Sequence, residues 1–322
     1  LYEMTMADCY FAEKDEETQV VFDVFYRKNP DQGGFAIFAG LEQIVEYIED
    51  LHFDEDDISY FSSLHLFSEE FLQYLKNFRF KGDIYAFPEG TVMYPNEPVL
   101  TVIAPLIDAQ LIETAVLAQI NHQSLIATKT QRIVKAADGR PVSDFGARRA
   151  HNMDAAVYGA RAAYIGGAAG TATVLAGKQF GIPVGGTMAH SYVMYYQDEL
   201  TAFRKYAAIY PDNCILLVDT IDVLKSGVPH AVEVFREMQA AGIPLTVYGI
   251  RLDSGDLAYL SKKARKKLVE AGFPDARIVV SNSLDEYTIT SILDQGGCIN
   301  SFGVGERLIT AKSDPVFGAV SK

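Results

Sequence analysis

LTVYGIRLDSGDLAYLSKKARKKLVEAGFPDARIVVSN, residues 245–282, decides the fold. An apolar run ends in the polar group RLDSGD, a helical segment covers 256–271, and RIVVSN begins a second apolar run. That punctuation belongs to parallel strands joined by helices. The same rhythm starts near residue 139. PVSDF precedes a helix near 154–164, IPVGGTMA precedes one over 193–209, and CILLVD precedes one over 229–241. RIVVSN is followed by a helix over 285–295, and INSFGVG comes last. About seven strand candidates favour an irregular β/α barrel over an open sheet.

Upstream the pattern is mixed. QVVFDVFYR (19–27) alternates as a strand does, and GFAIFAG (34–40) is a second strand candidate. LEQIVEYIEDL (41–51) and EEFLQYLKNF (69–78) carry apolar residues at helical spacing. Short strands are expected at DIYAF (83–87) and EPVLTVIAP (97–105), then a long helix over 107–137. The expected organisation is an α+β domain over 1–138 and an α/β barrel over 139–305. The segment 306–322 then returns toward the first domain, with a further C-terminal part absent.

The chain has 322 residues, 49% of them apolar, so it can bury a sizeable core. No stretch of eighteen apolar residues escapes a charge, so no membrane helix is expected. LYEMTMADCYF (1–11) lacks a basic n-region, so no signal peptide is expected. A start at Leu1 implies a few missing residues. Cys9, Cys214 and Cys298 are odd in number and share no C-x-x-C spacing. This fits a reducing, cytoplasmic setting rather than a disulfide frame or zinc site. A net charge of −14 disfavours nucleic acid and anionic membranes as partners. The strongest basic run, KKARKK (262–267), reads as the solvated face of a helix. Anion binding must then concentrate a few arginines, which singles out Arg148, Arg149 and Arg251.

Polar residues gather just after each strand candidate: DFGARR, AHS, DTID, RLDSGD, SNSLD and FGVGER. Loops at the C-terminal ends of barrel strands meet at one mouth, where ligands bind. Arg148, His190, Asp219, Asp222, Arg251, Asp253, Asp256, Asn282 and Gly305 are therefore expected together. Helix capping competes with this reading, above all at Ser283 and Asp285. It does not account for Arg148 or Arg251, because a cation at a helix start opposes the dipole. RLDSGD offers a cation, two carboxylates and a glycine, suited to sugar hydroxyls or to hydrated Mg²⁺ with phosphates. SFGVGERL (301–308) is a glycine-bearing loop of the kind that cradles phosphate. His190, among Gly185, Gly186 and Ala189, reads alone as a core imidazole, and the β-α rhythm moves it to the mouth.

DFGARRAHNMD (144–154), GGAAGTATVLAGKQFGIPVGGTMAHSYV (166–193), LLVDTIDV (216–223), YGIRLDSGDL (248–257) and FGVGERL (302–308) resemble the nicotinate phosphoribosyltransferase family in order and spacing. LYEMTMADCYF and RKNPDQGGFAIFAGLE (27–42) resemble its N-terminal region. The family is normally longer, and the ending GAVSK departs from its pattern. The resemblance implies an irregular type II phosphoribosyltransferase barrel packed on an α+β domain. It implies transfer of phosphoribosyl from phosphoribosyl pyrophosphate to nicotinate, in NAD biosynthesis and salvage. Mg²⁺ as cofactor, coupled ATP hydrolysis and a cytoplasmic homodimer with shared sites complete the expectation.

Carried over by residue, Phe145 stacks on the pyridine ring and Arg148 meets the base and its carboxylate. Tyr2 reaches the neighbouring subunit's site. Arg251 and Asp253 hold ribose phosphate and hydroxyls, with Ser254 beside them. Asp219 lies near pyrophosphate and Mg²⁺. Ser281, Asn282, Gly303 and Gly305 line the 5′-phosphate pocket, and ATP phosphorylates His190. Thr171 and Ala172 lie in GTAT (170–173), where relatives that use the amide carry aspartate. An aspartate at 172 would repel nicotinate's carboxylate by about 4 kcal/mol at ~4 Å and an effective dielectric of ~20, so Ala172 points to the acid.

Without the resemblance, Tyr2 and Phe145 read as packing aromatics and His122 as structural, while His151 stays open. A type I phosphoribosyltransferase would place two carboxylates adjacent, where Asp219 and Asp222 are separated. Quinolinate as substrate would want more cations, and a Schiff-base aldolase a strand lysine. A non-catalytic sugar-phosphate binder would keep the phosphate loops without needing His190.

Overall fold

The computed structural model describes residues 1–322. Compactness divides it into two units, Leu1–Thr128 with Ser313–Lys322, and Lys129–Lys312. The sequence pattern sets the breaks at 138/139 and 305/306 instead. The first difference arises because a helix, Glu113–Ala136, runs through position 128 with no proline or glycine to mark a boundary. The second arises because Leu308 and Ile309 are buried, with Ile309 beside Gly146, which keeps 306–312 with the second unit.

The first unit contains strands β1 (Gln19–Tyr26), β2 (Ala36–Ile37), β3 (Asp83–Ala86), β4 (Val92–Met93) and β5 (Leu100–Pro105). Its helices are α1 (Tyr2–Ala12), α2 (Leu41–Asp50), α3 (Glu55–Ser63), α4 (Glu69–Lys76), α5 (Leu106–Leu111) and the start of α6 (Glu113–Ala136). β1 is central to an antiparallel sheet. It pairs with β5 on one side (Val24↔Leu100) and with the C-terminal strand Ala319–Ser321 on the other (Val24↔Ser321). β3 extends the sheet beyond β5. Ala7, Phe71, Leu75, Phe78 and Ile107 form an apolar cluster between α1, α4 and α5. The expected long helix over 107–137 breaks at Ile112 into α5 and α6.

In the second unit, β6 (Val142–Asp144), β7 (Gly170–Thr171), β8 (Asn213–Leu217), β9 (Val247–Leu252), β10 (Arg277–Val280) and β11 (Ser301–Val304) make one sheet. All its pairs are parallel, in the order β7-β6-β11-β10-β9-β8. The strands curl into a half-barrel. Runs such as CILL and IVV suit strands covered on both faces. IPVGGTMA contributes only a single bridge, Thr171↔Val184, on the outer side of β7. The intervening helices are α7 (Met153–Ile165), α8 (Val174–Phe180), α9 (His190–Tyr195), α10 (Glu199–Ile209), α11 (Val228–Ala240), α12 (Leu257–Glu270), α13 (Glu286–Asp294) and α14 (Glu306–Ile309). A π-helical turn, Val223–Gly227, leads into α11.

Capping accounts for several of the polar residues after the strands. Asp222 accepts from the Leu224 and Lys225 N–H groups, Asp256 from Tyr259 N–H, and Asp285 from Thr288 N–H. Asp222 and Asp256 therefore spend their carboxylates on helix starts. Ser283, read as a cap, is not one: it has φ 47° and follows Asn282 at φ 83°. Within KKARKK, Lys262, Lys263, Lys266 and Lys267 are exposed as expected. Arg265 instead turns inward, donating to Pro274 O and Asn300 Oδ1.

Candidate active site

The C-terminal ends of β8 and β9 bring three carriers of chemistry together. Asp219 follows β8, and its side chain is 1% exposed. Its Oδ1 lies 3.0 Å from His190 Nε2, the ring of which is 39% exposed. Its Oδ2 accepts from Asp253 N–H at 2.9 Å and from Ser254 Oγ at 2.6 Å. One buried carboxylate thus orients the imidazole and anchors the start of DSGD. A carboxylate on one ring nitrogen fixes the tautomer and leaves the other nitrogen as a potential nucleophile.

Arg251, near the end of β9, is 13% exposed and heavily committed. It donates from Nε to Ser281 Oγ (3.0 Å), and from one terminal nitrogen to Thr187 Oγ1 (2.6 Å) and Met188 O (3.0 Å). The other terminal nitrogen lies 3.5 Å from Asp253 Oδ1, which also accepts from Ser281 Oγ. The guanidinium sits 5.8 Å from the Phe145 ring centroid. Phe145 is half-buried, and its ring covers Gly303, where an added Cβ would come within 2.3 Å of it. Its carbonyl lies beside Gly305, 3.3 Å from the position a Cβ would take. Phe145, Arg251, Asp253, Ser281, Gly303 and Gly305 therefore form one continuous wall.

Asp144 immediately precedes Phe145. It ends β6 fully buried, accepting from Gly146 N–H and from Thr171 Oγ1, each at 2.8 Å. Burial pushes its carboxyl above the usual range, against the lowering effect of the Thr171 and Gly146 hydrogen bonds. Its backbone carbonyl accepts from Ala172 N–H at 2.8 Å, which fixes the exposed Ala172 just past β7. Arg148 lies in a short 3₁₀ turn, Ala147–Arg149, with its side chain exposed. Arg149 reaches within 3.9 Å of Glu306. Asp285 is pulled the opposite way from Asp144. Burial raises its carboxyl, but the Thr288 hydrogen bonds and Arg307 outweigh that and hold it below the usual range.

Of the residues expected at the barrel mouth, Asn282 makes its side-chain hydrogen bond outside this group. Tyr2 belongs to the first unit, in the first turn of α1, with its hydroxyl 3.2 Å from Thr114 Oγ1. Asn282 is exposed in the left-handed turn, and its amide oxygen accepts from Ser283 Oγ. His151, left open by the sequence, is exposed ahead of α7, and His122, read as structural, lies within α6. Sequence reasoning passed over Asp144, although it ends the apolar run PVSD, and Thr187, which stands three residues before His190.

An Mg²⁺ ion held directly by Asp219 does not fit this arrangement. Both carboxylate oxygens already have donors and the side chain is shut away from solvent. No group of three or more acidic, histidine or cysteine side chains stands ready for a metal.

The chain is similar to known proteins along its whole length. Residues 1–121 match the model of the nicotinate phosphoribosyltransferase N-terminal domain, and residues 141–315 match the model of the nicotinate phosphoribosyltransferase family. The nicotinate phosphoribosyltransferase of Bacillus subtilis is 49% identical over 322 residues, the whole of this chain and 65% of that protein. The chain therefore spans just under two thirds of that relative. Among solved structures, human nicotinic acid phosphoribosyltransferase superposes with a TM-score of 0.87 at 26% identity, covering all of this chain and 73% of that one. A nicotinate-nucleotide pyrophosphorylase from Pyrococcus furiosus superposes with a TM-score of 0.78 at 27% identity, covering 99% of this chain and 72% of that one. With both of its regions matched by the family's models, the chain belongs to the nicotinate phosphoribosyltransferase family.

Proposed function

We propose that this chain joins nicotinate to phosphoribosyl pyrophosphate, forming nicotinate mononucleotide and pyrophosphate for NAD biosynthesis and salvage. ATP hydrolysis is coupled through a transient phosphohistidine at His190. The observation that carries this reading is the His190–Asp219 pair standing beside the Arg251–Phe145 wall. A sugar-phosphate binder has no need for an imidazole oriented by a buried carboxylate, whereas phosphoryl transfer to nitrogen does.

The transfer itself needs little base catalysis. Pyrophosphate leaves C1 of the ribose and the already nucleophilic pyridine nitrogen attacks the oxocarbenium-like centre. Positioning and charge neutralisation therefore dominate. The Phe145 ring takes the flat base, and Arg251 beside it supplies a cation for the ribose phosphate. Arg148, exposed and not held in the wall, is assigned the carboxylate of nicotinate. Asp253 and Ser254 face the ribose hydroxyls. Ser281, Asn282, Gly303 and Gly305 take the 5′-phosphate. Mg²⁺ enters on the pyrophosphate, as part of the substrate, in keeping with its taste for phosphates and a few carboxylates. Tyr2 completes the site of a second subunit in a homodimer. Ala172, exposed beside Thr171, leaves space for an acid where an aspartate would repel it. No helix is long and apolar enough to cross a membrane, and a cytoplasmic location suits the substrates.

The test offers purified protein phosphoribosyl pyrophosphate, Mg²⁺ and ATP with nicotinate or nicotinamide. Mononucleotide from nicotinate, faster than from nicotinamide, is expected. Equal or better use of the amide sinks the role of Ala172, and no product from either base favours a binding protein. In His190→Ala, ATP stimulation is expected to vanish while slow ATP-independent transfer remains.

A further inference from the structure

The two edges of the barrel sheet, β8 and the Val184 bridge beyond β7, are not joined by the sheet. Side chains cross the seam between them. Two crossings are in the active site: His190 to Asp219, and Arg251 to Thr187 and Met188. The third lies outside it. Glu199, the first residue of α10, is 2% exposed. Its Oε2 accepts from Ser226 Oγ at 2.6 Å and faces His230 Nδ1 at 2.8 Å. Its Oε1 is buried with no hydrogen-bond partner. A half-satisfied buried carboxylate is a costly way to pin two helices, and an apolar pair would do that better.

What Glu199 joins explains its placement. On one side, α9 begins with His190 and is tied to α10 by Tyr192, whose hydroxyl donates to Ala202 O and whose ring meets Tyr206. On the other side, Ser226 sits in the π turn just after Asp219. The next residue, Gly227, lies so close to Val218 that an added Cβ would stand 2.0 Å from the Val218 carbonyl oxygen. Val218 immediately precedes Asp219. π turns of this kind are rare and are frequent at functional sites. We propose that Glu199, through Ser226 and His230, is a positioning residue that sets His190 against Asp219 and so governs phosphoryl transfer to His190 rather than phosphoribosyl transfer.

The proposal rests on the function given above, and its test separates the two. The whole chain is labelled with ¹⁵N-histidine, and His190 is assigned by its loss in His190→Gln. Long-range ¹H–¹⁵N spectra then report its tautomer. The parent is expected to hold the proton on Nε2, facing Asp219. In Glu199→Ala the ring is expected to average between tautomers, and the ATP stimulation of turnover to fall about 10- to 100-fold, as for a small misplacement of a reacting group. ATP-independent transfer is expected to change less than about twofold, because the Arg251–Phe145 wall is untouched. Glu199→Gln keeps an acceptor of the same shape and is expected to recover most of the stimulation. An unchanged His190 tautomer in Glu199→Ala overturns the proposal, as does a parallel fall of both activities. If Glu199→Ala does not fold, Ser226→Ala removes one of the two contacts and is read in the same way. A parent that ATP does not stimulate refutes the functional reading, and the tautomer still decides the role of Glu199.

Discussion

The barrel sheet has two seams where distant parts of the chain meet, and they are held in opposite ways. Between β6 and β11 the closure is made by backbone: Phe302↔Val142, Gly303↔Ser143 and Val304↔Asp144 pair in register. Phe145 N–H continues the ladder onto Val304 O at 2.8 Å. Between the β8–β9 edge and the segment from Thr187 to Glu199, hydrogen-bonding side chains make the connection, through Asp219, Arg251 and Glu199. Backbone ladders do not depend on side-chain identity and tolerate side-chain change. A side-chain seam is adjustable and fails when one partner is lost. Phe145, proposed to stack on the base, is mounted on the rigid seam, and the imidazole proposed to carry phosphate is mounted on the adjustable one. That division suits a reaction in which the base is held still while His190 alternates between free and phosphorylated states.

The largest break in this contrast comes from Asp219→Asn. Three donors converge on the carboxylate, and an amide there no longer dictates which nitrogen of His190 bears the proton. Wrong-tautomer changes of this type lower turnover by up to about 10⁴-fold, so a fall of about 1,000-fold or more in ATP-stimulated kcat is expected. A change of less than about tenfold in steady-state assays would show that Asp219 is only scaffolding.

A smaller effect is expected from Gly227→Ala, which acts on the same seam from behind. The new methyl would overlap the Val218 carbonyl, and backbone rather than a pliable side chain has to give way. A loss of about 1–3 kcal/mol in denaturant-derived stability is expected, with a disproportionate loss of ATP stimulation because Val218 leads into Asp219. Unchanged stability would mean that the π turn is free to shift and transmits nothing.

The difference between the seams also explains what could be read in advance. β8 to β11 announce themselves as apolar runs with polar residues at their ends, which supplied Asp219, Arg251 and Asp253, whereas His190 follows IPVGGTMA, a run that forms only the Val184 bridge. β7 is two residues long, Gly170–Thr171, too short for any periodicity, and α1 mixes its apolar positions too evenly to show a face. α3 did carry a signal: Asp54 and Asp57 form a reciprocal capping box ahead of a helix whose weak apolar pattern hid it. Asp222 and Asp256 were expected in the site on the same grounds as Asp219, and only the hydrogen-bond partners separate a cap from the carboxylate that meets His190. Glu199 looks in sequence like an ordinary acid at a helix start, stabilised by the dipole. Its burial and its partners 27 and 31 residues away come from tertiary packing, to which local pattern is blind.

The smallest expected effect lies on the rigid seam and is a matter of sign. Asp144 is the buried last rung of the ladder that carries Phe145, and burial raises its carboxyl above 3.8, against the lowering effect of Thr171 and Gly146. A carboxyl that binds its proton more tightly when folded favours the native state at low pH. It costs stability as pH rises from 3.8 through the raised value, and the penalty is constant above that. Asp144→Asn removes the ionisation while keeping the shape. Its amide oxygen accepts from Gly146 N–H, and its NH₂ donates to Thr171 Oγ1, which turns to accept. The stability of the variant minus that of the parent, from unfolding curves at matched pH, is therefore expected to grow as pH rises out of the acid range and then level off. Taking the difference cancels the other carboxylates, which titrate alike in both proteins. A difference that shrinks with rising pH would mean that the paired hydrogen bonds outweigh burial and that the ionised form is the one this seam prefers.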